Sequence, residues 1–263
     1  MKRARSPDSE SLARPRSAVL LYPGSFSPVQ LSHLRAASIA KKAVESAGHN
    51  LKVYSVRLSP VNDAYGKKGL WPASDRNELI RLGLQSGEWR GVSLDTWEAE
   101  QAEYQRTFQV ARRFSEAYKQ GCLADLVFLV GGADLFESII TVEATPKIPK
   151  PWTADSVGAL LAELDGLVVV QRPGSETWAP ATILGMLRAK MAGHKTSEKL
   201  ASGAFTVVVA EDSAGDGSST AVREVIAEGL ATLDSQKTLA DLVGTEVAGA
   251  IVRRAAHFKA LVA

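Results

Sequence analysis

Apolar residues fall along the chain in two alternating rhythms. Short, nearly continuous runs appear at Ala18–Tyr22, Lys52–Leu58, Leu126–Val130, Leu167–Val170 and Phe205–Val209. Runs of that length, rich in Val and Leu, suit strands buried on both faces of a parallel sheet. Between the first two, Leu31–Ala47 places apolar residues at 31, 34, 37, 40, 44 and 47, the stripe of an amphipathic helix. Ser74–Leu84, Tyr104–Lys119, Ala154–Leu164 and Thr220–Leu230 also have helical spacing. Strands alternating with helices predict an α/β fold, a Rossmann-like parallel sheet with helices on both faces. In such sheets ligands bind beyond the carboxyl ends of the strands, so the chemistry is sought there. No internal repeat is present, and Pro146, Pro149 and Pro151 keep the loop from Thr141 to Trp152 out of helix.

Composition narrows the picture in three ways. With 263 residues, 45% hydrophobic and 23% charged, the chain has ample material for one core. The net charge of +2 is unevenly placed: Lys2, Arg3, Arg5, Arg14 and Arg16 outweigh Asp8 and Glu10 in residues 1–17, leaving the remainder slightly acidic. Residues 1–17 therefore read as a disordered basic tail, with a nuclear-import address as the rarer alternative, and 18–263 as one domain. A folded part without a basic surface argues against nucleic acid as partner. No run approaches the roughly 18 apolar residues of a membrane span, and Ala18–Tyr22 is too short for a signal-peptide core. The single cysteine, Cys122, rules out an internal disulfide and fits a reducing compartment, cytoplasmic or nuclear. The four histidines lack metal-ligand spacing, so no protein-held metal is expected.

Four loops at strand ends carry residues suited to a nucleotide. The first strand ends in Tyr22-Pro23-Gly24-Ser25-Phe26-Ser27-Pro28, with a helix starting near Leu31 and His33 in its first turn. Gly24 lets a phosphate approach the backbone, and the helix N-terminus offers N–H groups to an anion. The same residues also suit an ordinary strand–turn–helix junction with a capping histidine. The second loop, Ser59 to Gly69, holds Tyr65 and, between glycines, Lys67 and Lys68, either to reach a triphosphate or as a solvated turn. The third, Val130-Gly131-Gly132-Ala133-Asp134, leaves room for a base or sugar and offers a carboxylate to ribose hydroxyls, or caps the next helix through Asp134. The fourth, Gly217-Ser218-Ser219-Thr220-Ala221-Val222-Arg223, sets hydroxyls at a helix start with an arginine one turn on, a phosphate clamp or a plain cap. Each loop alone is ambiguous. Their convergence on one rim of one sheet favours the nucleotide.

The segments GSFSPVQLSHLR, SPVNDAYGKKGL, LDTWE, GGADLFES and SSTAVR, in that order, resemble the eukaryotic-type nicotinamide/nicotinate mononucleotide adenylyltransferases of the nucleotidyltransferase superfamily. The resemblance runs from about Ala18 into the C-terminal helices. It implies adenylyl transfer from ATP to a pyridine mononucleotide, with Mg²⁺ carried by ATP. It implies that Gly24, Ser25, Phe26 and His33 meet ATP phosphates, that Gly132 and Asp134 meet the adenosine ribose, and that Ser219, Thr220 and Arg223 hold the triphosphate. His33 and Arg223 are then the residues acting on the reacting phosphates. Tyr65 and Lys67 would lie near the acceptor's phosphate, and Tyr104, Thr107 and Trp152 around its ring. Tyr104 stands where the family typically has tryptophan. Trp97 reads as core, and Cys122 has no role. Gln30 and Ala221 depart from the family's residues, Ala221 replacing a common cation. Those departures keep two alternatives open: a nucleotide-binding quality-control protein without transferase activity, and a transferase with another acceptor. A homo-oligomer is compatible with the sequence.

Overall fold

The computed structural model describes residues 14–146, 148, 150–171, 178–215 and 217–262. Its centre is one six-stranded sheet: β1 (Arg16–Gly24), β2 (Leu51–Pro60), β3 (Val92–Leu94), β4 (Leu126–Gly132), β5 (Gly166–Val170) and β6 (Thr206–Ala210). Every neighbouring pair is parallel, in the order β3-β2-β1-β4-β5-β6. Register aligns the carboxyl ends, Gly24 with Pro60 and Gly132 with Val170. The order reverses between β1 and β4, where a parallel sheet opens a crevice for ligands.

The period-2 alternation of the strands divides the core into two layers. Ala18, Leu20, Phe128, Val130, Val168 and Val208 face one layer; Val19, Leu21, Val127, Leu129, Leu167 and Val169 face the other. Over the first layer pack α1 (Leu31–Ser46), through Leu34, Ala37, Ala40 and Val44, and α2 (Ala73–Leu84), through Leu79 and Ile80. The C-terminal helices α8 (Ser219–Glu228), α9 (Leu233–Val243), α10 (Thr245–Arg253) and α11 (Ala255–Val262) complete that side with Val222, Leu239, Val247 and Phe258. On the opposite face lie α3 (Thr107–Phe114), α4 (Ala133–Ile140), α5 (Ala154–Glu163) and α6 (Pro180–Lys190), through Val110, Phe136, Leu160 and Ile183. The five-residue α7 (Ser197–Ala201) adds Leu200 to the same layer.

The expected strands and helices are present, with boundary corrections that matter for the site. Strand β1 starts at Arg16, whose N–H donates to Asn50, and Ser17 binds the Asp125 carboxylate. Residues 1–13 lie outside the described residues, as does Pro149 of the proline-rich loop. The helix expected over Tyr104–Lys119 begins only at Thr107, where the Gln109 side chain accepts the Arg106 N–H, and passes into a π-helical turn at Ser115–Gln120. Tyr104 is therefore a loop residue, not a helical one. Strand β3 and helices α4, α6, α7, α9, α10 and α11 were not among the elements named from apolar spacing. Among the described residues no helix is long and apolar enough to cross a membrane.

Candidate active site

At the end of β1 the chain turns through Ser25 and Phe26, with Phe26 at φ 44°. Its buried ring meets Tyr22 and His33 edge-on, at centroid distances of 5.5 and 5.1 Å. A Cβ on Gly24 would sit 2.9 Å from the Phe26 ring, so only glycine fits beneath it. Helix α1 then starts with Gln30 as N-cap and His33 as its third residue. The Gln30 backbone N–H donates to His33 Nδ1 at 3.1 Å. A backbone N–H can only donate, so Nδ1 accepts and the imidazole proton sits on Nε2.

Gln30 is fully buried and joins two of the four loops. Its amide nitrogen donates to Ser219 Oγ at 2.9 Å, while Oε1 accepts from Ser32 Oγ at 3.0 Å. Ser219 Oγ in turn donates to the Pro28 carbonyl. The Ser219 hydroxyl is thereby committed to holding α1 against α8. What α8 presents to an anion is its N-terminus, capped by Ser218 through the Ala221 N–H, with Thr220 and Arg223. Gly217 lies so close to α1 that a Cβ there would stand 2.6 Å from Ser32 Oγ. Arg223 is aimed by donating to the Ser27 carbonyl at 3.0 Å and to Thr220 Oγ1 at 3.3 Å. Ala221 does not line the cleft; Lys68 does, so the cationic wall consists of Lys67, Lys68 and Arg223.

The loop after β2 is held from beneath by Arg76 of α2, whose side chain is fully buried. Its guanidinium donates to the carbonyls of Trp71, Ser25 and Val61 and to Asp63 Oδ1, at 2.7 to 3.0 Å. Asn62 accepts from the Ala64 N–H and donates to the Gln101 carbonyl, tying this loop to the segment after β3. Lys67 Nζ reaches Ser25 Oγ at 3.4 Å. In the segment after β3, Asp95 accepts from Arg113 at 2.7 Å and Glu98 from Ser59 Oγ at 2.6 Å. Trp97, half-buried, lies under the Arg113 guanidinium and packs on the core, as expected.

These elements enclose two adjoining cavities. One, of about 600 Å³, is bordered by Gly24, Ser25, Phe26, His33, Gly132, Asp134, Ser219, Thr220 and Arg223, together with Gln30, Lys67 and Lys68. Every residue expected at ATP thus faces one space. Gly132 is the N-cap of α4 and Asp134 stands in its first turn, so Asp134 is not the cap of that helix. The other cavity, of about 580 Å³, is bordered by Tyr65, Tyr104, Thr107 and Trp152, with Glu98, Arg106 and Phe108. Four of the five residues expected at the acceptor meet here, while Lys67 borders the first cavity instead. Tyr104 stacks on Tyr65 at 5.3 Å and 28°. The cavities share Pro23, Gly24, Ser25, Tyr65 and Leu135, so they join directly over the glycine turn.

Arg76, Gln30 as a stitch, Asn62, Glu98 and Arg106 were not assigned these places from sequence. Glu98 lay within a named motif, which was a usable signal; buried Arg76, flanked by buried Asp75 and Asn77, breaks the apolar rhythm of its helix and gave none.

Burial raises the Glu98 carboxyl from 4.5 to about 7, against the opposing Ser59 hydrogen bond and Arg76 charge. The folded state therefore keeps a proton that the unfolded chain loses, and stability falls as pH rises from 4.5 through 7. Replacing Glu98 by Gln removes this dependence. The stability of Glu98→Gln relative to the parent should rise by about 3 kcal/mol between pH 4.5 and 8, read from urea unfolding at each pH. A difference that stays flat across that range contradicts a buried, protonated Glu98.

The cytidylyltransferase-like family model matches residues 21–225. The chain is 37% identical over 163 residues to the nicotinamide/nicotinic acid mononucleotide adenylyltransferase of Oryza sativa subsp. japonica, covering 60% of this chain and 61% of that protein. It is 36% identical to the Arabidopsis thaliana enzyme of the same name, covering 60% and 63%. The matched part thus spans under two thirds of either relative. In fold it is similar to Plasmodium falciparum nicotinic acid mononucleotide adenylyltransferase complexed with NaAD, at TM-score 0.59, 11% identity, and 90% and 96% coverage. On the family match, which takes in the first three strand-end loops and the fourth through Arg223, the chain belongs to the cytidylyltransferase-like family.

Proposed function

We propose that this protein transfers the adenylyl group of ATP to a pyridine mononucleotide, forming a dinucleotide and pyrophosphate. The observation that carries the reading is the junction of the two cavities over Gly24 and Ser25. A nucleoside triphosphate in the cavity of His33 and Arg223 and a mononucleotide in the cavity of Tyr104 and Trp152 would bring their phosphates together there. The names of the rice and Arabidopsis relatives support the same substrates.

A phosphate oxygen of the acceptor attacks the α-phosphorus, and the bond to the β-phosphate bridging oxygen breaks as pyrophosphate leaves. The attacking oxygen is already anionic, so no general base is required; position and charge neutralisation supply the rate. His33 Nε2–H serves the α- and β-phosphate oxygens, and Arg223, Thr220 and the start of α8 serve the β- and γ-phosphates. Lys67, beside Ser25, stands at the junction and serves the phosphates from the triphosphate side. Gly132 and Asp134 take the adenosine ribose. The charged residues of this cavity are Lys67, Lys68 and Arg223 with the single carboxylate of Asp134, which suits phosphate oxygens rather than a divalent ion. Mg²⁺ would enter as a companion of ATP rather than on protein ligands, and when bound it would offset charge on the departing pyrophosphate.

The decisive assay supplies ATP, Mg²⁺ and either nicotinamide or nicotinate mononucleotide and follows dinucleotide and pyrophosphate. Both products should appear together. Nucleotide binding without either product would overturn the transferase reading.

Tyr104 gives a sharper test of the acceptor cavity. It is 39% exposed, so it is not a core residue, and its ring adds to a platform with Tyr65. Stacking of this kind contributes about 0.5–1.5 kcal/mol beyond buried area. Tyr104→Ala should raise KM for the mononucleotide several-fold, leave KM for ATP within about twofold, and change the melting temperature little. Equal changes for both substrates with a clear loss of stability would remove Tyr104 from the acceptor site.

A further inference from the structure

The acceptor cavity has two ends. One is the junction at Gly24 and Ser25, where a phosphate would sit; the other is bounded by residues that the triphosphate cavity does not touch. Among the described residues two charges of opposite sign line the acceptor cavity: Glu98, held by Ser59 beside Pro23 on the junction side, and Arg106, which belongs to the far end. Arg106 immediately precedes α3, and its backbone N–H is taken by Gln109, which fixes the residue without using its guanidinium. Among the described residues no carboxylate pairs with it. The guanidinium is therefore a fork of donors on an exposed residue that lines an aromatic cavity and acts on Tyr104, suited to a planar anion. The first turns of α3 and α5 bring Thr107, Phe108 and Ser156 to the same end, and their helix dipoles add positive potential.

Resting on the adenylyl-transfer reading for the identity of the ligand, we propose that Arg106 determines acceptor specificity. It pairs with a carboxylate on the acceptor's pyridine ring, so that the acid mononucleotide is preferred to its amide. Glu98 does not undo this preference. Burial raises its carboxyl to about 7, so near neutrality much of it is protonated and can donate to a carboxylate rather than repel it.

The test measures binding, so it does not depend on turnover. Nicotinate and nicotinamide mononucleotides are titrated calorimetrically into the full chain and into Arg106→Gln and Arg106→Lys, with and without a non-hydrolysable ATP analogue. The parent should bind the acid form about fivefold tighter or better, the advantage shrinking as salt is raised. Arg106→Gln should remove that advantage and leave the amide within about twofold, and Arg106→Lys should recover part of it. Equal affinities for the two forms in the parent, no binding of either, or equal losses in Arg106→Gln would overturn the proposal. The last pattern would assign Arg106 to the phosphate that both acceptors share. Absence of dinucleotide in the turnover assay would instead sink the transferase reading while leaving the binding comparison standing.

Discussion

Replacing His33 with alanine should lower kcat by a factor of about 10² or more with the fold intact. The size of the effect follows from how the ring is held. Gln30 N–H occupies Nδ1, and the Phe26 ring meets the imidazole edge-on, so Nε2–H has a fixed direction and a fixed proton. A donor that needs no reorganisation at the moment of reaction is worth most where charge builds up, on the α- and β-phosphate oxygens. The substitution removes the donor and the cap bond together. The cap is worth about 1 kcal/mol, so a modest fall in melting temperature should accompany the loss of turnover. His33→Asn separates the two: it offers the N-cap N–H a carbonyl oxygen in place of Nδ1. Its amide nitrogen falls where Cδ2 was, short of the position from which Nε2–H reaches the phosphates. The variant should recover stability and not turnover. Near-normal kcat in His33→Ala, under saturating substrates, would take His33 out of the reaction.

The sheet and its ligand rim were legible because each rests on a local signal. Near-continuous Val and Leu runs marked five of the six strands, and the glycine, hydroxyl and lysine clusters followed four of them, β1, β2, β4 and β6. Strand β3, Val92–Leu94, is three residues long at the sheet edge and half-buried, too short to show a period. Helices α9 and α11 bury only Leu239 with Val243 and Phe258, so their stripes are narrow. Helix α10 buries Val247, Ala248, Ala250 and Ile251 against α2 and α9, a stripe that was readable. The residues expected at the triphosphate border one cavity because each is set by its own strand end or helix start. The acceptor side was harder to read. Tyr104, Arg106 and Glu98 lie outside regular elements, and their placement depends on distant contacts, Ser59 with Glu98 and Asn62 with the Gln101 carbonyl. No local pattern encodes such a contact. Gln30 shows the same limit: as a residue type it suits a phosphate donor, and only the fold shows its amide spent on Ser219 and Ser32.

Arg76→Met should cost about 3–5 kcal/mol of stability, the largest structural effect expected of any single residue at this site. Methionine matches the aliphatic stem of the side chain and keeps helix propensity, so the backbone is little disturbed. What disappears is the hub. The carbonyls of Trp71, Ser25 and Val61 lose their donor, and Asp63 loses its cation. Buried acceptors left unpaired cost about 1–3 kcal/mol each before relaxation, whereas Asp63, with its side chain 55% exposed, regains water and contributes little. Arg76→Lys keeps the charge but cannot span acceptors on separate segments in four directions, so it should recover only part of the loss. Asp63→Asn keeps one oxygen for the Arg76 guanidinium or the Ala73 N–H but removes the carboxylate partner of a buried cation, so it should cost about 1–3 kcal/mol, less than Arg76→Met. The functional consequence follows from where the carbonyls lie: Ser25 belongs to the glycine turn, and Val61 and Trp71 flank the loop of Tyr65 and Lys67. Both walls of the cavity junction should loosen, raising KM for ATP and for the mononucleotide together, unlike Tyr104→Ala. Urea unfolding of the three variants with the two KM values decides the matter. A loss below about 1 kcal/mol in Arg76→Met, or equal losses in Arg76→Met and Asp63→Asn, would show that the loops are held by other contacts.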